Sequence, residues 1–191
     1  MITQEDRNLF QKIYKLERQG NYLQTQDDLH LLLIKYPSDI EGQEEQLFRG
    51  ELLLIESIIL LYKKNYHEAR SVASEAVEIF KRYNKYERLA HAQNRIAETF
   101  RFEKQYDKAK EYTEKAIKSL KRAYSEDELK KILPPFLREL ASALIKLKNF
   151  SETEQILLNA YKITEETGDN FTRGHLALTF FSLYLEKGEL I

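Results

Sequence analysis

Three aromatic residues, Tyr66, Tyr106 and Phe150, recur in this chain with the same neighbours. Each follows a polar pair ending in Asn or Gln: Lys64-Asn65, Lys104-Gln105 and Lys148-Asn149. Each also stands ten residues before an alanine, Ala76, Ala116 and Ala160, and two of them have a second alanine three residues on, Ala69 and Ala109. The anchors lie 40 and 44 residues apart. A helix-turn-helix unit recurring at that length buries its apolar face by stacking on the next unit, so the chain predicts an array of helical pairs and not a single closed core.

The rest of the sequence supports helices. Only 6 of 191 residues are Gly and 3 are Pro, too few for a fold built on sheets and tight turns. Thr3 with Asp6 starts a first helix that runs to about Gln19, and Gly20-Asn21 supplies a turn. A second runs from Tyr22 to Tyr36, with Leu29, Leu32 and Leu33 on one face, and is stopped by Pro37. A third covers Ile40 to Lys63. Its second half, LLLIESIILLY, is apolar almost all round and needs cover on more than one side. Further helices are expected over His67–Tyr83, Tyr86–Glu103 and Asp107–Lys121. Ser125 with Glu128 opens the seventh as a capping box, with a kink or restart at Pro134-Pro135. The eighth spans Ser151–Thr167, with Ser151 as N-cap and Gly168 as stop, and the ninth spans Asn170–Glu186, ending at Lys187-Gly188.

Composition narrows the function classes. The formal net charge is −1, so no whole-molecule field draws in nucleic acid or anionic lipid. The mixed-sign run from Lys118 to Lys131 reads as a solvated connection and not as a basic patch. There is no Cys, which excludes disulfides and thiolate metal sites. The longest apolar stretch, Leu52 to Tyr62, is interrupted by Glu56 and Ser57 and is too short to span a bilayer. The N-terminus is polar and unlike a signal peptide. These features predict a cytoplasmic, all-α protein. No phosphate loop, His-Glu-x-x-His motif or Cys nucleophile is present, so an enzyme, a cofactor and a metal site are not expected.

Within this frame the units resemble tetratricopeptide repeats. In Ala90–Leu120 the pattern is met by Ile96-Ala97, Phe100, Tyr106, Ala109 and Ala116. The next unit matches at Leu140-Ala141, Leu144, Phe150 and Ala160, with Thr153 in place of the first alanine. The preceding unit matches at Ser57, Tyr66, Ala69 and Ala76, with Glu56 in place of leucine. A weaker first unit has Gly20, Tyr22 and Pro37, and the C-terminal segment resembles one more first helix, with Tyr184 and Gly188 in register. The resemblance implies a right-handed superhelix of antiparallel helix pairs with about nine helices. It is expected to form a single repeat domain over residues 1–191, with units at 3–37, 40–83, 86–123, 126–168 and a half unit at 170–191.

The resemblance also implies a protein- or peptide-binding scaffold whose concave face is lined by first helices. The expected ligand-binding residues are His91, Asn94, Glu98, Arg101 and Phe102 on the fifth helix and Arg138, Ser142 and Lys146 on the seventh. Pro135 and Ile145 on the seventh, and His175, Leu178, Ser182 and Leu185 on the ninth, are also expected to point outward. An Asn amide can pair with a peptide backbone, and an Arg can grip a carboxylate. The alternative is that Glu98 and Arg101 simply pair with each other on a solvated face. Leu54 and Ile58 occupy places that are polar in chaperone-tail clamps, which argues against such a clamp. Together with Phe180, Phe181 and Leu185, these two residues form a candidate interface, and a homodimer follows as a second reading. A narrower resemblance is to long-repeat bacterial peptide-pheromone sensors, of which this chain would be a portion without a DNA-binding output domain.

Overall fold

The structure, a computed structural model, describes residues 1–189. Leu190 and Ile191, the last two of the expected half unit, lie outside the described residues, as do the side chains of Arg18, Tyr22 and Leu23. Nine α-helices and no strand occur among the described residues: α1 (Gln4–Arg18), α2 (Tyr22–Lys35), α3 (Gln43–Tyr62), α4 (Tyr66–Arg82), α5 (Tyr86–Phe102), α6 (Tyr106–Ala123), α7 (Glu126–Lys146), α8 (Phe150–Thr167) and α9 (Asn170–Lys187). The chain divides into two compact units, Met1–Thr99 and Phe100–Ile191, and the division falls inside α5.

The recurring polar pair marks a turn of fixed geometry. Its first residue is left-handed: φ is 64° at Lys64, 61° at Lys104 and 61° at Lys148. Its second residue returns its N–H to a carbonyl five residues back, Asn65 to Leu60 at 2.9 Å, Gln105 to Phe100 at 2.9 Å and Asn149 to Leu144 at 3.0 Å. These are Schellman closures, which satisfy the otherwise orphaned carbonyls of the last helical turn. Asn84 between α4 and α5 adopts the same conformation with φ 53°. The aromatic residue then begins the next helix. Asn149, and not Ser151, is therefore the N-cap of α8.

The recurring small residues lie where helices meet closely. Ala69, Ala76, Ala97, Ala109, Ala116, Ala141 and Ala160 all have no exposed surface. Thr153, which replaces an alanine, is equally buried and donates its hydroxyl hydrogen to the Asn149 carbonyl at 2.8 Å, so it adds no unpaired polar group.

In the first unit α3 is the central helix. Leu52, Ile55 and Ile59 pack with Ile13, Leu29, Leu32, Tyr36 and Phe48. Leu53 and Leu54 pack with Ala76, Ile79 and Phe80 of α4 and with Leu89 and Ala92 of α5. Its all-round apolar character thus reflects cover on two sides. Gly50 admits the Phe80 ring; a Cβ there would stand 2.8 Å from the ring tip. Helix α3 begins at Gln43, later than Ile40, because Gly42 has φ 99° and breaks helical geometry immediately before it.

A polar cluster ties α1 to the end of α2. Asp6 accepts hydrogen bonds from Lys35 Nζ at 2.6 and 2.8 Å, from Tyr36 Oη at 2.7 Å and from the Thr3 backbone at 2.9 Å. Burial alone would raise the Asp6 carboxyl, but these donors outweigh it and hold it well below the usual carboxylate range. Arg49 then links α2 to α4, donating to the Tyr36 carbonyl and to Glu75, both at 2.6 Å.

In the second unit α7, α8 and α9 share a core of Leu137, Ala141, Ile145, Leu157, Ala160, Ile163, Leu176 and Leu183. Helix α7 is one continuous helix and does not restart at Pro134-Pro135. The two prolines leave the carbonyls of Lys130 and Lys131 without helix donors, and both residues are exposed, so water can take those bonds.

Replacing Ala116 by leucine should lower unfolding free energy by about 1–3 kcal/mol, through overpacking at a fully enclosed site. Lys118→Leu, two residues away and exposed, should leave it within about 0.5 kcal/mol. Urea denaturation of the two variants checks this, and equal midpoints would contradict the register.

Candidate ligand-binding cleft

The second unit contains a cleft of about 250 Å³. Its walls are Arg101 from the last turn of α5, Tyr106 from the start of α6, Ser142, Ile145 and Lys146 from α7, and Thr179 and Ser182 from α9. The turn geometry explains how α7 and α9 line it together. Ser142 stands six residues before the left-handed Lys148 and Ser182 six before the left-handed Gly188, so the two serines occupy the same helical phase.

The electrostatics of the cleft rest on two ion pairs. Arg101 Nε donates to Glu139 Oε1 at 2.5 Å; the Arg101 side chain is 27% exposed and that of Glu139 only 2%. Glu139 lies on the core side of α7, beside buried Phe136, Leu140 and Ala143. The Arg101 guanidinium also stacks 4.5 Å from the centre of the Phe102 ring. Lys146 pairs with Glu186 of α9 at the rim, where both side chains are well exposed and the pair contributes little to stability. The hydrogen bond from Lys146 holds the Glu186 carboxyl below its ordinary range.

Three hydroxyls complete the lining. Ser142 donates to the Arg138 carbonyl at 2.9 Å, Thr179 to His175 at 3.0 Å and Ser182 to Leu178 at 3.1 Å. Their hydrogens are committed to their own helices, so their oxygens remain as acceptors for a ligand N–H. The cleft therefore pairs two charge-matched cations with hydroxyl acceptors above an apolar base formed by Ile145.

Of the residues expected at a binding face, Arg101, Ser142 and Lys146 meet in this cleft. Phe102 stacks on Arg101 and is 47% exposed, and Arg138 lies one turn from Ser142. His91, Asn94 and Glu98 belong to the first unit. There, Asn94 donates to Glu98 at 3.3 Å and Arg95 forms a short bond to the same carboxylate. The pairing of Glu98 with Arg101 does not occur: Arg95 takes Glu98, and Arg101 compensates the more deeply buried Glu139. His91 is half-buried, and burial, reinforced by Arg88 and Arg95, pushes its pKa down to about 4, so it is neutral at physiological pH. Ile145 does not point outward and is only 2% exposed. Among the interface candidates, Leu54 is enclosed by the first unit's own core and Ile58 is half-buried. Phe180 packs against the second unit's core, whereas Phe181 and Leu185 are exposed.

Glu139, Tyr106 and Thr179 were not legible as site residues in the sequence. Glu139 had one visible sign, a carboxylate in the apolar phase of the run FLRELASALI. No cluster of three or more potential metal ligands occurs among the described residues, and no described helix is long and apolar enough to cross a membrane.

Helices α5, α6, α7 and α9 line the cleft, and the turns and small contacts repeat. Residues 56–122, from the middle of α3 to the end of α6, match the sequence pattern of the tetratricopeptide repeat family. That segment carries the tetratricopeptide-repeat pattern. Solved structures extend the likeness of fold beyond the matched segment. The apo form of RapI superposes with a TM-score of 0.76 at 19% identity, over 96% of this chain and 63% of RapI. The chain thus spans less than two thirds of that protein's length. TPR-like repeats from Podosopora anserina, described as a putative kinesin light chain, superpose with a TM-score of 0.67, and a glutamine-to-methionine variant of them with 0.68. Both are 14% identical and cover 96% of this chain; the alignment spans 87% and 86% of those chains respectively. No curated protein matches the sequence. At these identities the structures speak for the tetratricopeptide-repeat fold alone.

Removing one partner of the Arg101–Glu139 pair should be costly. Arg101→Ala should destabilise the protein by about 3 kcal/mol, because it strands a carboxylate in the core. A double variant, Arg101→Met with Glu139→Leu, should recover most of that loss. Urea midpoints of the wild type and both variants check this; a double variant as unstable as Arg101→Ala would contradict the account.

Proposed function

We propose that this protein is a non-catalytic scaffold that holds an extended peptide, or an extended segment of a protein partner, in the cleft lined by α5, α7 and α9. The observation that carries the reading is the cleft's composition. Hydroxyl acceptors from two successive first helices, Ser142 on α7 and Thr179 and Ser182 on α9, stand beside two cations, Arg101 and Lys146. Backbone amides of an extended segment supply the N–H donors such oxygens accept, and its carbonyls or carboxylates suit Arg101 and Lys146. The tetratricopeptide-repeat fold supports a protein or peptide as the ligand class. The resemblance to long-repeat bacterial peptide sensors favours a narrower form, in which the ligand is a short signalling peptide.

Arg101→Ala is a poor test of this site, since it removes the partner of Glu139. Ser182 is exposed, and a bulky residue there fills the cleft without entering the core. Peptides selected by the wild-type protein from a random library should lose at least about tenfold in affinity for Ser182→Trp, or about 1.4 kcal/mol. The melting temperature should stay within about 2 °C. Fluorescence anisotropy with labelled peptides measures the first and circular dichroism the second. Unchanged affinity in a folded Ser182→Trp protein would remove the cleft as the binding site.

A further inference from the structure

We propose that the outer face of α9 is a self-association surface, and that it takes the same face of a second copy of this chain, lying antiparallel across a two-fold axis through Leu178.

Helix α9 is apolar on two sides. One side, with Leu176 and Leu183, is buried in the core shared with α7 and α8. The other carries Phe171, Leu178, Phe181 and Leu185, which are 79%, 65%, 57% and 59% exposed. Their spacing of seven, three and four residues puts them in one stripe of the helix. The only Lys, Arg, Asp or Glu between Phe171 and Leu185 is Arg173, which falls off the stripe.

The repeat register shows what kind of helix this face suits. Counting back from the left-handed residues Gly188 and Lys148, Phe181 stands where α7 has Ala141, and Leu185 where α7 has Ile145. Ala141 and Ile145 are buried in the core that α7 shares with α8 and α9. Ala141 and, in α5, Ala97 have no exposed surface and permit close helix approach. A phenylalanine at this position holds an ordinary repeat helix away. The fitting partner has a gap opposite Phe181. The same stripe provides one at Gly174, where a Cβ would meet nothing within 4 Å. In an antiparallel pair centred on Leu178, Phe181 of one copy comes level with His175 of the other, beside Gly174, and Phe171 meets Leu185.

Helix dipoles support that orientation, and area supports the contact. The two glutamates at the end of α9 already have partners in their own chain, Glu186 in Lys146 and Glu189 in Lys187. An antiparallel pair opposes the helix dipoles favourably, whereas a parallel pair aligns them. At roughly 200 Å² for side chains of this size, the four residues expose about 500 Å² per copy, or about 1,000 Å² in the pair, where specific interfaces begin. The contact is therefore a modest, concentration-dependent one.

The test is sedimentation velocity over the micromolar range, together with cysteine cross-linking. The sequence holds no Cys, so each introduced thiol is unique. The wild type should show a monomer–dimer equilibrium. Phe181→Glu with Leu185→Glu should stay monomeric at tenfold higher concentration, with its helical circular dichroism unchanged. Leu178→Cys should form a disulfide-linked dimer under mild oxidation. Ser182→Cys should not, because its copies lie about 12 Å apart along the axis, beyond the reach of a disulfide. A wild type that is monomeric throughout, a dimer that survives the double glutamate substitution, or equal cross-linking through the two positions would overturn the proposal.

Discussion

The fold depends on reversing the chain in one left-handed residue. At Lys64, Asn84, Lys104 and Lys148 a helix ends, a Schellman pair of hydrogen bonds closes its last turn, and the next helix begins two residues later. Glycine usually fills this conformation; a residue bearing a Cβ adopts it at a cost of about 1–2 kcal/mol. The cost is met by burial on either side. The short connection brings consecutive helices together, and the alanines at fixed distances from the turn let them approach. Turn and small residue thus form one device: the turn sets the helical phase, and the alanine occupies the phase at which contact is closest.

Much of this was legible in the sequence. The three aromatic anchors, their polar pairs and their alanines located six of the nine helices to within a few residues, and the two-sided burial of α3 followed from its all-round apolar run. What was not legible depended on conformation or on distant partners. Gly42 delays the start of α3 because of its φ, which composition does not reveal. Ser151 looked like a cap because serine often is one, yet the turn assigns that place to Asn149. Pro134-Pro135 suggested a kink or a restart; α7 does not restart there but runs as one helix across the missing amides. The pairing of Arg101 with Glu139 joins residues 38 positions apart, and no local periodicity links them. The nearer candidate, Glu98, is taken by Arg95.

The same device arranges the candidate functional surfaces. Because α7 and α9 share a phase relative to their turns, Ser142 and Ser182 line one cleft, and Arg101 reaches it from α5 while anchored to a carboxylate in the core. That anchoring separates the roles of the cations. Arg101 contributes to folding and to the cleft together, whereas Lys146 and Ser182 can change with little effect on the core. The register that produces the cleft also places Phe181 and Leu185 where α7 carries residues enclosed by its neighbours. The outer face of α9 is thereby a second surface distinct in character, apolar where the cleft is polar.

The most direct test of the central claim is the sign of a glycine substitution at the turns. In the interior of a helix, Lys→Gly lowers stability by roughly 0.5–1 kcal/mol. At a left-handed position it removes strain and should raise stability by about 1 kcal/mol. Urea denaturation of Lys64→Gly, Lys104→Gly and Lys148→Gly, singly and combined, should show a rise in unfolding free energy at each site. The three gains should approximately add, since the sites lie in separate turns. A fall in stability at these positions would mean that the helices run on through the polar pairs, and the repeat geometry described above would be wrong.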